Sequence, residues 1–129
     1  MASFVLVPGA WIGGWAWSDV ARDLRRQGHD VYPLTLTGLG ERAHLAEPGV
    51  DLETHVNDIM GLLTFEDLHD VVLVGHSYAG APVTGAADRA TDRLAKVVYV
   101  DSGPLFDGAA YIDMQPPPLR ELIEQRVAE

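Results

Sequence analysis

The sequence predicts an α/β fold: a parallel, doubly wound sheet of about four strands in the order 2-1-3-4, with helices on both faces. Three observations carry it. Four short β-branched or apolar runs recur at residues 4–7, 30–34, 71–74 and 96–100. Helical patterns separate them, and strand–helix alternation of this kind implies right-handed crossovers and parallel pairing. The fourth run, Val97-Val98-Tyr99-Val100, is apolar on both faces, as an interior strand of a parallel sheet is.

The elements follow in order. Phe4-Val5-Leu6-Val7 is the first strand, closed by Pro8-Gly9. Trp17, Val20, Ala21 and Leu24 recur at i, i+3, i+4 and i+7, the spacing of one helix face, and Gly28 stands where a helix C-terminus favours glycine. After the second strand, residues 35–50 form a long polar loop containing Gly38-Leu39-Gly40-Glu41-Arg42-Ala43-His44, and loops of this length are often functional. Asp51 is placed to cap a helix whose Leu52, Val56, Ile59 and Leu63 share a face. Val71-Val72-Leu73-Val74 leads through Gly75-His76-Ser77 into a small-residue helix over residues 78–90. In strand order 2-1-3-4 the topological switch falls between strands one and three, where ligands bind beyond the carboxyl ends. Gly9-Ala10 and Ser77 both emerge there.

At 129 residues the chain is long enough for a core, and its 47% hydrophobic and 22% charged residues are ordinary for a globular protein. With no cysteine, disulfides and thiolate metal sites are excluded. The formal charge of −10 argues against nucleic acid or an anionic membrane as partner. The first residues lack the basic region of a signal peptide and no apolar stretch reaches transmembrane length, so a cytoplasmic location is the expectation.

Ser77 on a tight strand-to-helix turn, flanked by Gly75, Ala79 and Gly80, has the form of a nucleophile elbow, with Ala79 in place of the usual last glycine of G-x-S-x-G. A glycine-rich turn without catalysis is the alternative. Acyl transfer also needs a base, an orienting carboxylate and an oxyanion hole. The backbone N–H of Tyr78 and that of Ala10, after Gly9, are the candidate donors for the last. Gly9-Ala10-Trp11-Ile12-Gly13-Gly14 does not match the G-x-G-x-x-G of a dinucleotide site, and no P-loop occurs, so no cofactor is expected.

None of the five histidines is spaced as a metal pair, so no metal is expected either. His29 and His69 precede strands at the far end of the sheet and read as surface residues. His55 reads as solvent-facing on its helix. The side chain of His76 should point away from the catalytic face. His44, on a loop from a strand's carboxyl end, is the possible pocket-lining base. Asp101, closing the fourth strand, either orients a base or caps the strand-end turn. Trp11, Trp15 and Trp17 read as core packing, with Trp11 a possible pocket wall.

With those residues in place, the chain resembles α/β-hydrolases of the plant-esterase and hydroxynitrile-lyase type, including bacterial relatives. The resemblance lies in Phe4-Val5-Leu6-Val7-Pro8-Gly9-Ala10-Trp11 with Gly14-Trp15, in Leu36-Thr37-Gly38-Leu39-Gly40, in Val72-Leu73-Val74-Gly75-His76-Ser77-Tyr78, and in Val98-Tyr99-Val100-Asp101. It implies Ser77 as nucleophile, and the N–H groups of Ala10 and Tyr78 as oxyanion hole. Pro8 takes the position of a histidine found in many relatives.

The resemblance also implies that residues 1–104 are the N-terminal part of the hydrolase core and that residues 105–129 begin a cap. Leu119, Leu122, Ile123 and Val127 mark a helix there. The family's remaining strands, its acid and its catalytic histidine lie beyond the equivalent of Glu129. The expectation is a serine hydrolase of carboxylic esters, acting on a small-molecule ester, whose base and acid come from a complementary C-terminal half. The alternative is a truncated, non-catalytic module that associates through its open sheet edge and terminal helix. Hydroxynitrile lyase chemistry is disfavoured, because those enzymes carry a threonine near the position of Gly9.

Overall fold

The computed structural model describes residues 2–104. Strands β1 (Ser3–Val7), β2 (Asp30–Pro33), β3 (Val71–His76) and β4 (Leu94–Val100) form one sheet in the order β2-β1-β3-β4, with every pairing parallel. This is the expected strand order. The register pairs Val7 with Gly75 and His76 with Val100, so the carboxyl ends of β1, β3 and β4 finish side by side.

Alternation along the strands feeds two cores, since successive strand residues point to opposite faces. On one face Val5, Val7, Val71 and Leu73 pack with Val56, Ile59 and Leu63 of α2 (Leu52–Phe65) and with Val83 and Ala86 of α3 (Gly80–Arg89). On the other, Leu6, Val31 and Val74 pack with Ala21 of α1 (Ser18–Arg26), and Trp17 and Leu24 border them. The sheet is therefore covered on both sides by helices.

Boundaries differ from expectation by a residue or a turn. The serine-bearing turn begins as a 3-10 segment, Ser77–Ala79, before α3 starts. The long polar loop is partly ordered by another 3-10 segment, Gly40–Leu45. Val20 and Leu52, expected on buried faces, are exposed, because each lies at the margin of its apolar stripe rather than over the sheet. The expected helix and cap within residues 105–129 lie outside the described residues. Among the described residues no helix is long and apolar enough to cross a membrane.

Asp51 caps α2 as its position predicts: its carboxylate accepts from the Thr54 N–H at 3.0 Å, and the Thr54 hydroxyl accepts from the Asp51 N–H. The Thr54 backbone and hydroxyl bonds hold the Asp51 carboxyl below the usual carboxylate range. A carboxyl depressed in the folded state adds stability above the unfolded value of about pH 4, and that stability is lost as pH falls through the folded value. Asp51→Ala is thus expected to lower Tm by a few degrees at pH 7, with the gap to the parent narrowing as melts move below about pH 4. A gap independent of pH would contradict the charged cap.

Candidate active site

Ser77 leaves β3 with φ +55°, in the left-handed region that a residue with a Cβ adopts at a cost. The turn is held from several sides. A Cβ on Gly75 would come within 2.8 Å of the Val83 side chain, so the position before the turn admits only glycine without a shift in α3. The Ser102 hydroxyl, just past β4, donates to the Ser77 carbonyl at 2.6 Å. Half-buried Ser77 makes no side-chain hydrogen bond among the described residues, so its hydroxyl is available for chemistry.

The loop after β1 is packed directly on this turn. A Cβ built on Gly9 would lie 3.2 Å from the Ser77 Cβ and 3.3 Å from the His76 carbonyl oxygen. Ala10 follows, half-buried, and its N–H has no partner among the described residues. Tyr78 follows Ser77 at the N-terminal end of the helical segment, where the peptide dipoles favour negative charge. A carbonyl carbon presented to Ser77 therefore meets a backbone environment suited to an anionic oxygen.

Beneath the site lies a polar network. His55 is 7% exposed, not solvent-facing as its sequence context suggested. Its Nε2 lies 2.8 Å from the Thr37 carbonyl oxygen and its Nδ1 lies 2.9 Å from the Tyr78 hydroxyl. Asp58, one turn on, accepts from both the N–H and the hydroxyl of Thr37, at 2.6 and 2.7 Å. Arg42 donates to the Thr35 carbonyl at 2.8 Å and to the Thr37 hydroxyl at 3.3 Å. Burial, with a smaller effect from the negative charge of Asp51, pushes the Tyr78 phenol up to about 12, so it stays protonated at neutral pH.

The other expected positions fall as follows. His44 is exposed on the 3-10 segment and makes no hydrogen bond among the described residues. Asp101 is exposed at the end of β4 with φ +50°, on the same side of the sheet as Ser77. The His76 ring stands edge-on to Trp17 with centroids 6.4 Å apart, and its Nδ1 lies beside Gly9, 3.3 Å from where a Cβ there would sit. His69 is exposed, whereas His29 is partly buried and accepts from the Ala2 N–H at 2.9 Å. None of the five histidines hydrogen-bonds to Ser77.

Trp11 and Trp15 do not pack in the core: Trp11 is 75% exposed and its backbone is at φ +67°. Trp11 lies in the turn after β1 and Trp15, also exposed, in the 3-10 segment Gly14–Trp17. Trp17 alone borders a core cluster. Among the described residues no group of three His, Asp or Glu side chains is arranged to hold a metal.

Thr37, Asp58 and Ser102 were not singled out from the sequence, and His55 was assigned to the wrong side. His55 did carry a signal: it stands four residues before Ile59, on the edge of the buried stripe. The threonine and serine partners are common residue types in a polar loop and carry no periodic signal.

Comparison with known proteins bears on this geometry. Residues 4–128 match the model of the Alpha/beta hydrolase family. The chain is similar to a carbendazim-hydrolysing esterase of Nocardioides sp., 52% identical over 102 residues that cover 79% of this chain and 42% of that protein. It is also similar to a pheophorbidase of Raphanus sativus, 34% identical over 107 residues, or 82% of this chain and 41% of that one. Among solved structures, an extracellular α/β-hydrolase from a Paenibacillus species superposes with a TM-score of 0.89 at 28% identity, over 97% of this chain and 50% of that one. The chain thus spans less than half the length of these two curated relatives.

Proposed function

Because this chain belongs to the alpha/beta hydrolase family, we propose that it supplies the nucleophile and the oxyanion hole of a serine hydrolase acting on small carboxylic esters. The observation that carries this reading is the left-handed turn at Ser77 with the Gly9 backbone packed against it. Similarity to esterases supports the substrate class.

Ser77 Oγ attacks the ester carbonyl carbon. As the Oγ–C bond forms, the hydroxyl proton passes to a general base, and the carbonyl oxygen becomes an anion held by the N–H groups of Ala10 and Tyr78. The tetrahedral species collapses, the C–O bond to the alcohol breaks, and the departing alkoxide takes a proton from the same base. Water then attacks the acyl-enzyme by the reverse proton path and releases the acid. The base and its carboxylate come from outside residues 1–129, because none of the chain's histidines engages Ser77. Trp11 and Asp101 flank the same end of the sheet, Trp11 as a candidate pocket wall and Asp101 as the exposed residue that closes β4.

The outer side of β4 is where a complementary polypeptide pairs. It is the end strand of the sheet among the described residues, and Val100 on it is 40% exposed. The same edge favours a second reading, a non-catalytic module that self-associates there. The two separate in one assay. Mixing this chain with a polypeptide spanning the C-terminal portion of the Nocardioides esterase is expected to restore hydrolysis of p-nitrophenyl acetate above either piece alone. No gain in the mixture, with a dimer of this chain in solution, would favour the module.

A further inference from the structure

We infer that His55 is a positioning residue: its imidazole clamps the Tyr78 side chain to the Thr37 loop and thereby sets the spacing between the two candidate oxyanion donors. The inference rests on the reading of Ser77 as nucleophile, and it concerns the His55 and Tyr78 side chains, which act on the reaction only through the backbone they position.

The hydrogen-bond directions follow from the partners. The Thr37 carbonyl can only accept, so His55 Nε2 carries the proton and donates to it at 2.8 Å. Nδ1 is then a lone-pair acceptor, and the Tyr78 hydroxyl, 2.9 Å away, donates to it. A single tautomer satisfies both bonds in a site that is 7% exposed. Because leaving a buried polar group unsatisfied is costly, the pair resists rearrangement.

The receiving end is itself fixed. Asp58 grips Thr37 through two bonds of 2.6 and 2.7 Å, and it stands three residues from His55 on the same face of α2. From Thr37 the chain runs to Gly40, whose N–H donates to the Trp11 carbonyl at 3.3 Å. Gly40 has φ +51°, and a Cβ there would come within 2.7 Å of the Gly13 backbone, so the two loops meet backbone to backbone. Trp11 adjoins Ala10. One continuous set of contacts therefore runs from Tyr78 through His55, Thr37 and Gly40 to the segment bearing the Ala10 N–H.

An oxyanion donor contributes only when it is aimed at the developing charge, and losing one costs about 10²–10³ in rate. Loosening the clamp should cost less than that. The test is the second-order rate constant for Ser77 labelling by a fluorophosphonate in the mixture with the C-terminal polypeptide, followed by intact mass. His55→Phe and Tyr78→Phe each remove the bond to the other while keeping an aromatic ring. Each is expected to slow labelling about 10- to 100-fold with a cooperative thermal transition retained.

The double variant should slow labelling by less than the product of the two single effects, since the two side chains share a bond. His55→Gln, which keeps a donor and an acceptor, should recover most of the rate. Imidazole ¹⁵N NMR of the unsubstituted chain should show His55 as the Nε2–H tautomer. Should His55→Phe fail to fold, Tyr78→Phe carries the test alone. Labelling at the parent rate in the folded variants, or a Nδ1–H tautomer, overturns the inference and leaves the serine reading intact. Absence of any Ser77 adduct in the parent is the separate failure of the serine reading, and the inference falls with it.

Discussion

Replacing Ser77 by alanine is expected to abolish ester hydrolysis by the reconstituted enzyme, by about 10⁴-fold or more, while leaving the fold unchanged. The side-chain hydroxyl makes no hydrogen bond among the described residues, so its removal breaks no packing or polar network. The turn survives because it is held by its neighbours: the Ser102 hydroxyl on the Ser77 carbonyl, and the close approach of Gly75 to Val83. Circular dichroism and the melting temperature should match the parent. The loss then belongs to the chemistry, because the fold is retained. A Ser77→Ala protein that still hydrolyses the ester in the mixture would assign the activity to the partner polypeptide.

The second large effect is expected at Gly9. A Cβ there already lies 3.2 Å from the Ser77 Cβ and 3.3 Å from the His76 carbonyl, tighter than carbon atoms ordinarily pack. The two methyl groups of valine have nowhere to go except between the loop and the turn. Gly9→Val should push Ala10 away from Ser77, separating nucleophile and donor, and lower hydrolysis by about 10²–10³-fold. The lesion falls in kcat more than in KM if Ala10 engages the transition-state oxygen. An equal loss in KM alone would mean that the loop contacts substrate without stabilising the oxyanion.

Most of the fold was legible in the residues. The strands are short apolar runs ended by turn residues, and their alternation with helices leaves few topologies for a parallel sheet. Asp51 was legible as a cap because Asp before an apolar stripe has a specific hydrogen-bonding job. The serine turn was legible for a similar reason, since a strained position needs small neighbours and Gly75, Ala79 and Gly80 supply them.

What was not legible depends on contacts far apart in the chain. Val20 and Leu52 obey the helical spacing, yet a stripe predicts an angle and not how far the sheet extends beneath it. The exposure of Trp11 accompanies a left-handed backbone, which composition does not encode. His55 was misplaced because its partners, the Thr37 carbonyl and the Tyr78 hydroxyl, come from two other segments. Its place beside Val56 and four residues before Ile59 hinted at burial, but the partners that bury it lie 18 and 23 positions away.

The central claim is that Ser77 is the nucleophile and that this chain builds the surroundings that make it one. It is tested most directly by treating the 129-residue chain, mixed with the C-terminal polypeptide that supplies the base, with a fluorophosphonate and mapping the adduct on this chain by peptide mass spectrometry. The Ser77 oxygen should displace fluoride at phosphorus and leave a single adduct on that residue. Ser3, Ser18 and Ser102 should remain unmodified. No adduct, or one spread over the other serines, would contradict the assignment.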